Sequence, residues 1–74
     1  MNLEAIAKAY VHCVDVEERA RSDAPALAED LSVLRADLHA LLMEALRQAR
    51  IPFTDRSEAA RLAYDIAHGK QPVR

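Results

Sequence analysis

Leu27, Leu31, Leu34, Leu38, Leu41 and Ala45 step along the chain by four and three residues in alternation. That spacing holds side chains on one line of an α-helix, and it is the seam pattern of helices that pack lengthwise on one another. A strand does not use it, because successive strand residues alternate faces. No proline or glycine interrupts the chain between Pro25 and Pro52, so a helix over about residues 25–50 is expected. From Leu27 to Ile51 it spans roughly 37 Å at 1.5 Å per residue. A second row, Leu42, Leu46 and Ala49, widens the stripe only towards the C-terminal end. That half is expected to face two neighbours and the N-terminal half one. A third row, Val33, Ala36, Ala40 and Met43, is small and apolar, which suits close approach of another helix.

The rest of the chain supplies two further helices. Asn2 is a good N-cap and Glu4 lies in the first turn, where the helix dipole favours an acid. Leu3, Ile6, Tyr10, Cys13 and Val14 follow at helical spacing, giving a helix over about 2–21 whose apolar stripe is expected to fade after Val16. Glu4–Lys8, Asp15–Arg19 and Glu17–Arg21 are acid-before-base pairs one turn apart. "RSDAP" at 21–25 reads as a tight turn, with Ser22 and Asp23 as cap types and Pro25 in a first helical turn. Pro52 ends the long helix. Asp55 with Glu58 then resembles a capping box, Thr54 being the rival cap, and opens a helix over about 56–68. Its apolar row is Ala59, Leu62, Ala63 and Ile66, and Gly69 is the expected left-handed terminator before a tail at 69–74. Phe53 and Leu62 are expected to anchor this helix on Leu42, Leu46 and Ala49.

The fold class is therefore all-α: a long antiparallel helical hairpin plus a short third helix, in a single domain over 1–74. Composition agrees, with 15 Ala and 9 Leu against one Gly and three Pro, so few turns are possible. A chain of 74 residues buries little core, and a short third helix covers only part of the hairpin. Two copies pairing into a dimeric helical bundle would cover the remaining leucines. The competing arrangement is a monomeric three-helix bundle with some leucine exposed. The residues expected to serve self-association are Leu27, Leu31, Val33, Leu34, Ala36, Leu38, Ala40, Leu41 and Met43.

Catalytic chemistry finds no foothold. His12, His39 and His68 lie at no metal-ligand spacing and are expected at the surface or its boundary, and one cysteine makes neither a disulfide nor a cysteine-rich metal site. Cys13 reads as a small buried hydrophobe. Glu17/Glu18 and Glu29/Asp30 are adjacent acids, which diverge on a helix and are expected on solvated faces. One glycine cannot build a phosphate-cradling loop. No enzyme activity, cofactor or metal is expected.

A lone thiol suits a reducing compartment. Glu4 and Lys8 interrupt the apolar run that a signal peptide needs, and no stretch is long enough to span a membrane. A cytoplasmic protein is expected.

Charge separates along the chain. Residues 1–46 hold 4 basic and 9 acidic side chains, and residues 47–74 hold 6 basic and 3 acidic. Arg47, Arg50, Arg56, Ser57, Arg61, Tyr64, His68 and Lys70 are the candidate contacts for a partner or for phosphate. On the third helix, Ser57, Arg61, Tyr64 and His68 share one face. The leading expectation is a small non-catalytic interaction module (adaptor, chaperone or inhibitor) that acts as a homodimer on an unidentified protein partner. The alternative is a small dimeric nucleic-acid-binding regulator that uses the basic C-terminal segment.

Overall fold

The computed structural model describes residues 2–70. It is all-α, with α1 at Leu3–Asp23, α2 at Pro25–Gln48 and α3 at Arg56–Ala67. The expected tail lies outside the described residues from Gln71 onward. No helix among the described residues is long and apolar enough to cross a membrane.

Local chemistry sets each end. The Asn2 side chain accepts the Ala5 backbone N–H at 3.1 Å, and Asp55 accepts that of Glu58 at 2.9 Å. The Glu58 carboxylate reaches back to the Thr54 backbone N–H at 2.7 Å and to its hydroxyl at 3.4 Å, so Thr54 is held by the box rather than capping in its own right. One residue, Ala24, joins α1 to α2, and Pro25 opens the second helix. Ser22 and Asp23 belong to α1 and cap nothing. Both later helices end in the same motif. Gly69 sits at φ 78, with Lys70 N–H bonded to the Asp65 carbonyl at 2.8 Å and Gly69 N–H to Ile66 at 3.1 Å. Arg50 sits at φ 60, with Ile51 N–H bonded to the Leu46 carbonyl at 2.9 Å and Arg50 N–H to Arg47 at 3.0 Å. These are Schellman closures, and at Arg50 a side chain occupies the left-handed position that glycine prefers.

The helices α1 and α2 form the antiparallel hairpin, and α3 returns mainly along α1. The molecule measures 39 × 21 × 20 Å, so its length is that of one long helix. The core is Ala7, Tyr10, Leu42, Leu46, Ala59 and Ala63. Alanines at the α1–α3 contact bring the backbones close, and Leu42 and Leu46 fill the space beside them. Full burial of a leucine contributes about 1.5–3 kcal/mol. Phe53 and Leu62 pack against this cluster as expected, but Ala49 is exposed and serves as the C-cap of α2.

The hairpin is rotated from the arrangement expected. The row on α2 that faces inward runs Ala28, His39, Leu42, Ala45 and Leu46. The leucine seam is turned partly outward. On α1 the inward row does not fade after Val16 but continues through Glu17 and Ala20.

Polar side chains complete the interior. Glu17 is 4% exposed; its carboxylate takes a 2.6 Å bond from Arg35 Nε and a 3.3 Å bond from Arg21. Glu17 is thus no solvated surface acid. The Arg35 guanidinium holds its carboxyl below the usual glutamate range, against the opposing effect of burial. His39 is also buried, where a surface position was expected. Its ring lies 5.3 Å from that of Tyr10, and it joins α3 through two bonds to Arg56. Arg56 Nη2 donates to His39 Nδ1 at 3.2 Å, and since guanidinium cannot accept, Nε2 carries the proton and donates to the Arg56 carbonyl at 3.0 Å.

Candidate interaction surfaces

The prominent uncovered feature is the leucine line of α2. At 3.6 residues per turn, Leu27, Leu34 and Leu41 recur on one line, about a quarter turn from the buried row and on the side away from His39, which touches α3. They are 49%, 49% and 46% exposed. Leu31 and Leu38 are half-buried beside them and grade into the core. The same side of α1 carries Ala9 and Val16, since Val11 and Val14 turn towards Tyr64 of α3. Among the described residues, the hairpin therefore has one face covered by α3 and an opposite face on which Leu27, Leu34 and Leu41 are only about half covered. Val33, 65% exposed, lies with Ala36 and Ala40 further round α2, away from α1. Met43 of that third row is half-buried against the core, which removes it from the outer surface.

A row of acids borders the leucine line. Asp30, Asp37 and Glu44 are exposed and lie seven residues apart. Glu44 pairs with Arg47 at 3.7 Å, while Asp30 and Asp37 make no ion pair among the described residues. On α1, exposed Lys8 and His12 line the groove shared with Tyr64 and His68 of α3, and Arg19 is exposed further along the helix. Lys8 lies 3.8 Å from Glu4 and Arg19 lies 2.9 Å from Asp15, both as the spacing predicts.

The basic candidates do not converge on one patch. Arg47 stacks over Phe53, its guanidinium carbon 5.5 Å from the ring centroid. Arg50 belongs to the left-handed closure of α2. Arg56 is exposed overall, but its guanidinium is engaged with His39, so it is a fold contact before it is a phosphate contact. Ser57, Arg61, Tyr64 and His68 lie exposed along α3, and Lys70 follows them. The Tyr64 and His68 rings stack at 6.4 Å, and His68 Nδ1 lies 2.6 Å from the Tyr64 carbonyl, which ties it to the end of its own helix.

No protein-family model matches the chain. No curated protein and no solved structure matches it either.

Among the described residues, no cluster of three or more His, Cys, Asp or Glu side chains is placed to hold a metal ion. Cys13 is buried, its thiol 3.6 Å from the Leu31 carbonyl, and burial together with the nearby Glu17 pushes the thiol up from its ordinary value. Such a thiol is a poor nucleophile. The sequence-based reading missed the roles of His39, Arg35 and Glu17. A signal for two of them was present, since 28, 35, 39, 42 and 46 form a helical row parallel to the leucine seam.

Proposed function

We propose that the chain is a small non-catalytic helical interaction module, of adaptor, chaperone or inhibitor type, that works as a homodimer. One observation carries the reading: Leu27, Leu34 and Leu41 stand on one line of α2 and each remains about half exposed among the described residues. A repeated leucine line on a rigid helix is a surface that gains by burial against another helix. The exposed side of α3, with Arg61, Tyr64 and His68, faces away from that line and is left for a protein partner. A lone buried thiol suits the reducing conditions of the cytoplasm.

The test is the mass in solution by sedimentation, for wild type and Leu34→Asp. The expected result is a wild-type dimer and a Leu34→Asp monomer that keeps its helical circular dichroism, because Leu34 is not part of the chain's own core. Wild type of monomeric mass, or a Leu34→Asp dimer, overturns the reading.

A second reading, a nucleic-acid-binding regulator, draws on exposed Arg50, Arg61 and Lys70, which make no ion pair among the described residues. It requires affinity for nucleic acid that falls steeply with salt. The engagement of Arg56 with His39 weakens it.

A further inference from the structure

We propose that the hollow at the end of α2, bordered by Arg47 and Arg50, is a binding site for an organic phosphate monoester. The proposal does not depend on the homodimer reading.

The hollow is open, about 540 Å³ in volume, and lined by Arg47, Arg50, Ile51, Pro52, Phe53 and Thr54. Its place follows from the turn. Pro52 cannot continue α2, and the closure at Arg50 swings the chain towards α3. Arg50 is the decisive residue. It holds φ 60, a conformation that glycine adopts without strain. Among the described residues, its side chain makes no ion pair and no hydrogen bond that would compensate. Backbone strain without a compensating contact in the fold is typical of functional sites, where a side chain serves something outside the chain. What glycine would lack at this position is the guanidinium on the rim of the hollow.

Three residues earlier, Arg47 supplies a second guanidinium. It lies over the Phe53 ring, which holds its plane beside the hollow. Glu44 approaches Arg47 at 3.7 Å, but both side chains are more than half exposed, and so long a surface contact contributes little. It also leaves most of the five guanidinium N–H donors unused. Asp55 and Glu58, the acids of the next turn, accept the backbone N–H groups of Glu58 and Thr54, and neither lines the hollow.

The donor set selects the ligand. A carboxylate has two oxygens and is matched by one guanidinium fork. Two arginines on one hollow match a phosphate monoester, which presents three acceptor oxygens and nearly two charges at neutral pH. Ile51 and Phe53, both half-buried, and exposed Pro52 give the lining an apolar part. A phosphate that carries an aromatic or aliphatic body therefore gains contacts that inorganic phosphate does not.

Phenyl phosphate is the probe, titrated into the protein at neutral pH and low salt by calorimetry. The NMR signals of the Arg47 and Arg50 side chains and of the Phe53 ring locate it. The expected result is saturable binding, several-fold tighter than that of inorganic phosphate or benzoate. It weakens as the probe loses its second charge below about pH 6. Arg50→Gly and Arg47→Gln each weaken it at least about tenfold, and Arg61→Gln leaves it unchanged. Glycine suits the left-handed closure, so Arg50→Gly loses the ligand without losing the fold, which its thermal midpoint checks. No saturable binding, binding that survives Arg50→Gly, or inorganic phosphate or benzoate held as tightly as the probe overturns the proposal. An oligonucleotide that displaces the probe and depends on Arg61 as much as on Arg50 also overturns it, in favour of the nucleic-acid reading.

Discussion

Arg50 shows how much one residue decides at the end of a helix. Its backbone holds φ 60, where a Cβ is crowded, in order to close α2 and let the chain turn towards α3. The side chain is exposed and makes no ion pair among the described residues, so its removal forfeits no such contact. Arg50→Gly is expected to stabilise the fold by about 0.5–1 kcal/mol, the relief of the left-handed backbone exceeding the extra freedom of glycine in the unfolded chain. Urea unfolding of the two proteins measures it; an unchanged or lower midpoint shows that the residue is not strained. The sequence marked this helix end through Pro52 but concealed the means, because an arginine in the place of a terminal glycine carries no local signature. Gly69, where the usual residue stands, was legible at once.

At the scale of the element, the hairpin is tied across its interior by Glu17 and Arg35. Glu17 is held below the usual glutamate range chiefly by its bond from Arg35. A group whose carboxyl is lowered in the fold stabilises it fully above the unfolded range, near pH ~4.3, and loses that contribution as pH falls through the lowered value. Wild type is therefore expected to lose its advantage over Glu17→Gln as the solution is acidified below that range. Unfolding midpoints of both proteins from neutral to strongly acid pH check this, and a gap that stays constant refutes it. Such ties are also where sequence reading failed. The helices themselves and the caps at Asn2 and Asp55 were legible because their causes lie within a few residues. The rotation of α2 was not, since the leucine seam and the row through Ala28, His39 and Leu46 are both helical. The choice between them is made by groups distant in sequence. Arg35 meets Glu17 eighteen residues away, and His39 meets Arg56 seventeen residues away. On its own helix each reads as a surface residue.

Among the described residues, the molecule is a hairpin with one face clothed by α3 and the other carrying half-exposed leucines. For a dimer closed over the leucine face, assembly belongs to the folding equilibrium, so the melting temperature depends on concentration. Tenfold dilution is expected to lower it by about 4 °C, corresponding to ~1.4 kcal/mol of association free energy. Differential scanning calorimetry across a dilution series measures this, and a melting temperature indifferent to concentration contradicts it. The candidate interaction face was half legible from sequence. Its leucines were identified, but their outward turn emerges only when Leu42 and Leu46 are seen to fill the interior and α3 to take the other side.

The two tyrosines sit in opposite surroundings. Tyr10 lies inside the hairpin against the His39 ring, and Tyr64 stands part-exposed on α3 at the groove beside Val11 and Val14 of α1. The chain has no tryptophan and one phenylalanine, so the two tyrosines dominate its near-ultraviolet absorbance. Burial raises the Tyr10 phenol above its ordinary value, which delays its alkaline absorbance change. The protein thus carries two native optical labels, one reporting whether the hairpin is closed and the other what touches α3. A ligand on α3 would alter the second signal directly, and the first would change only where the core that Tyr10 shares with Ala59 and Ala63 of α3 is disturbed.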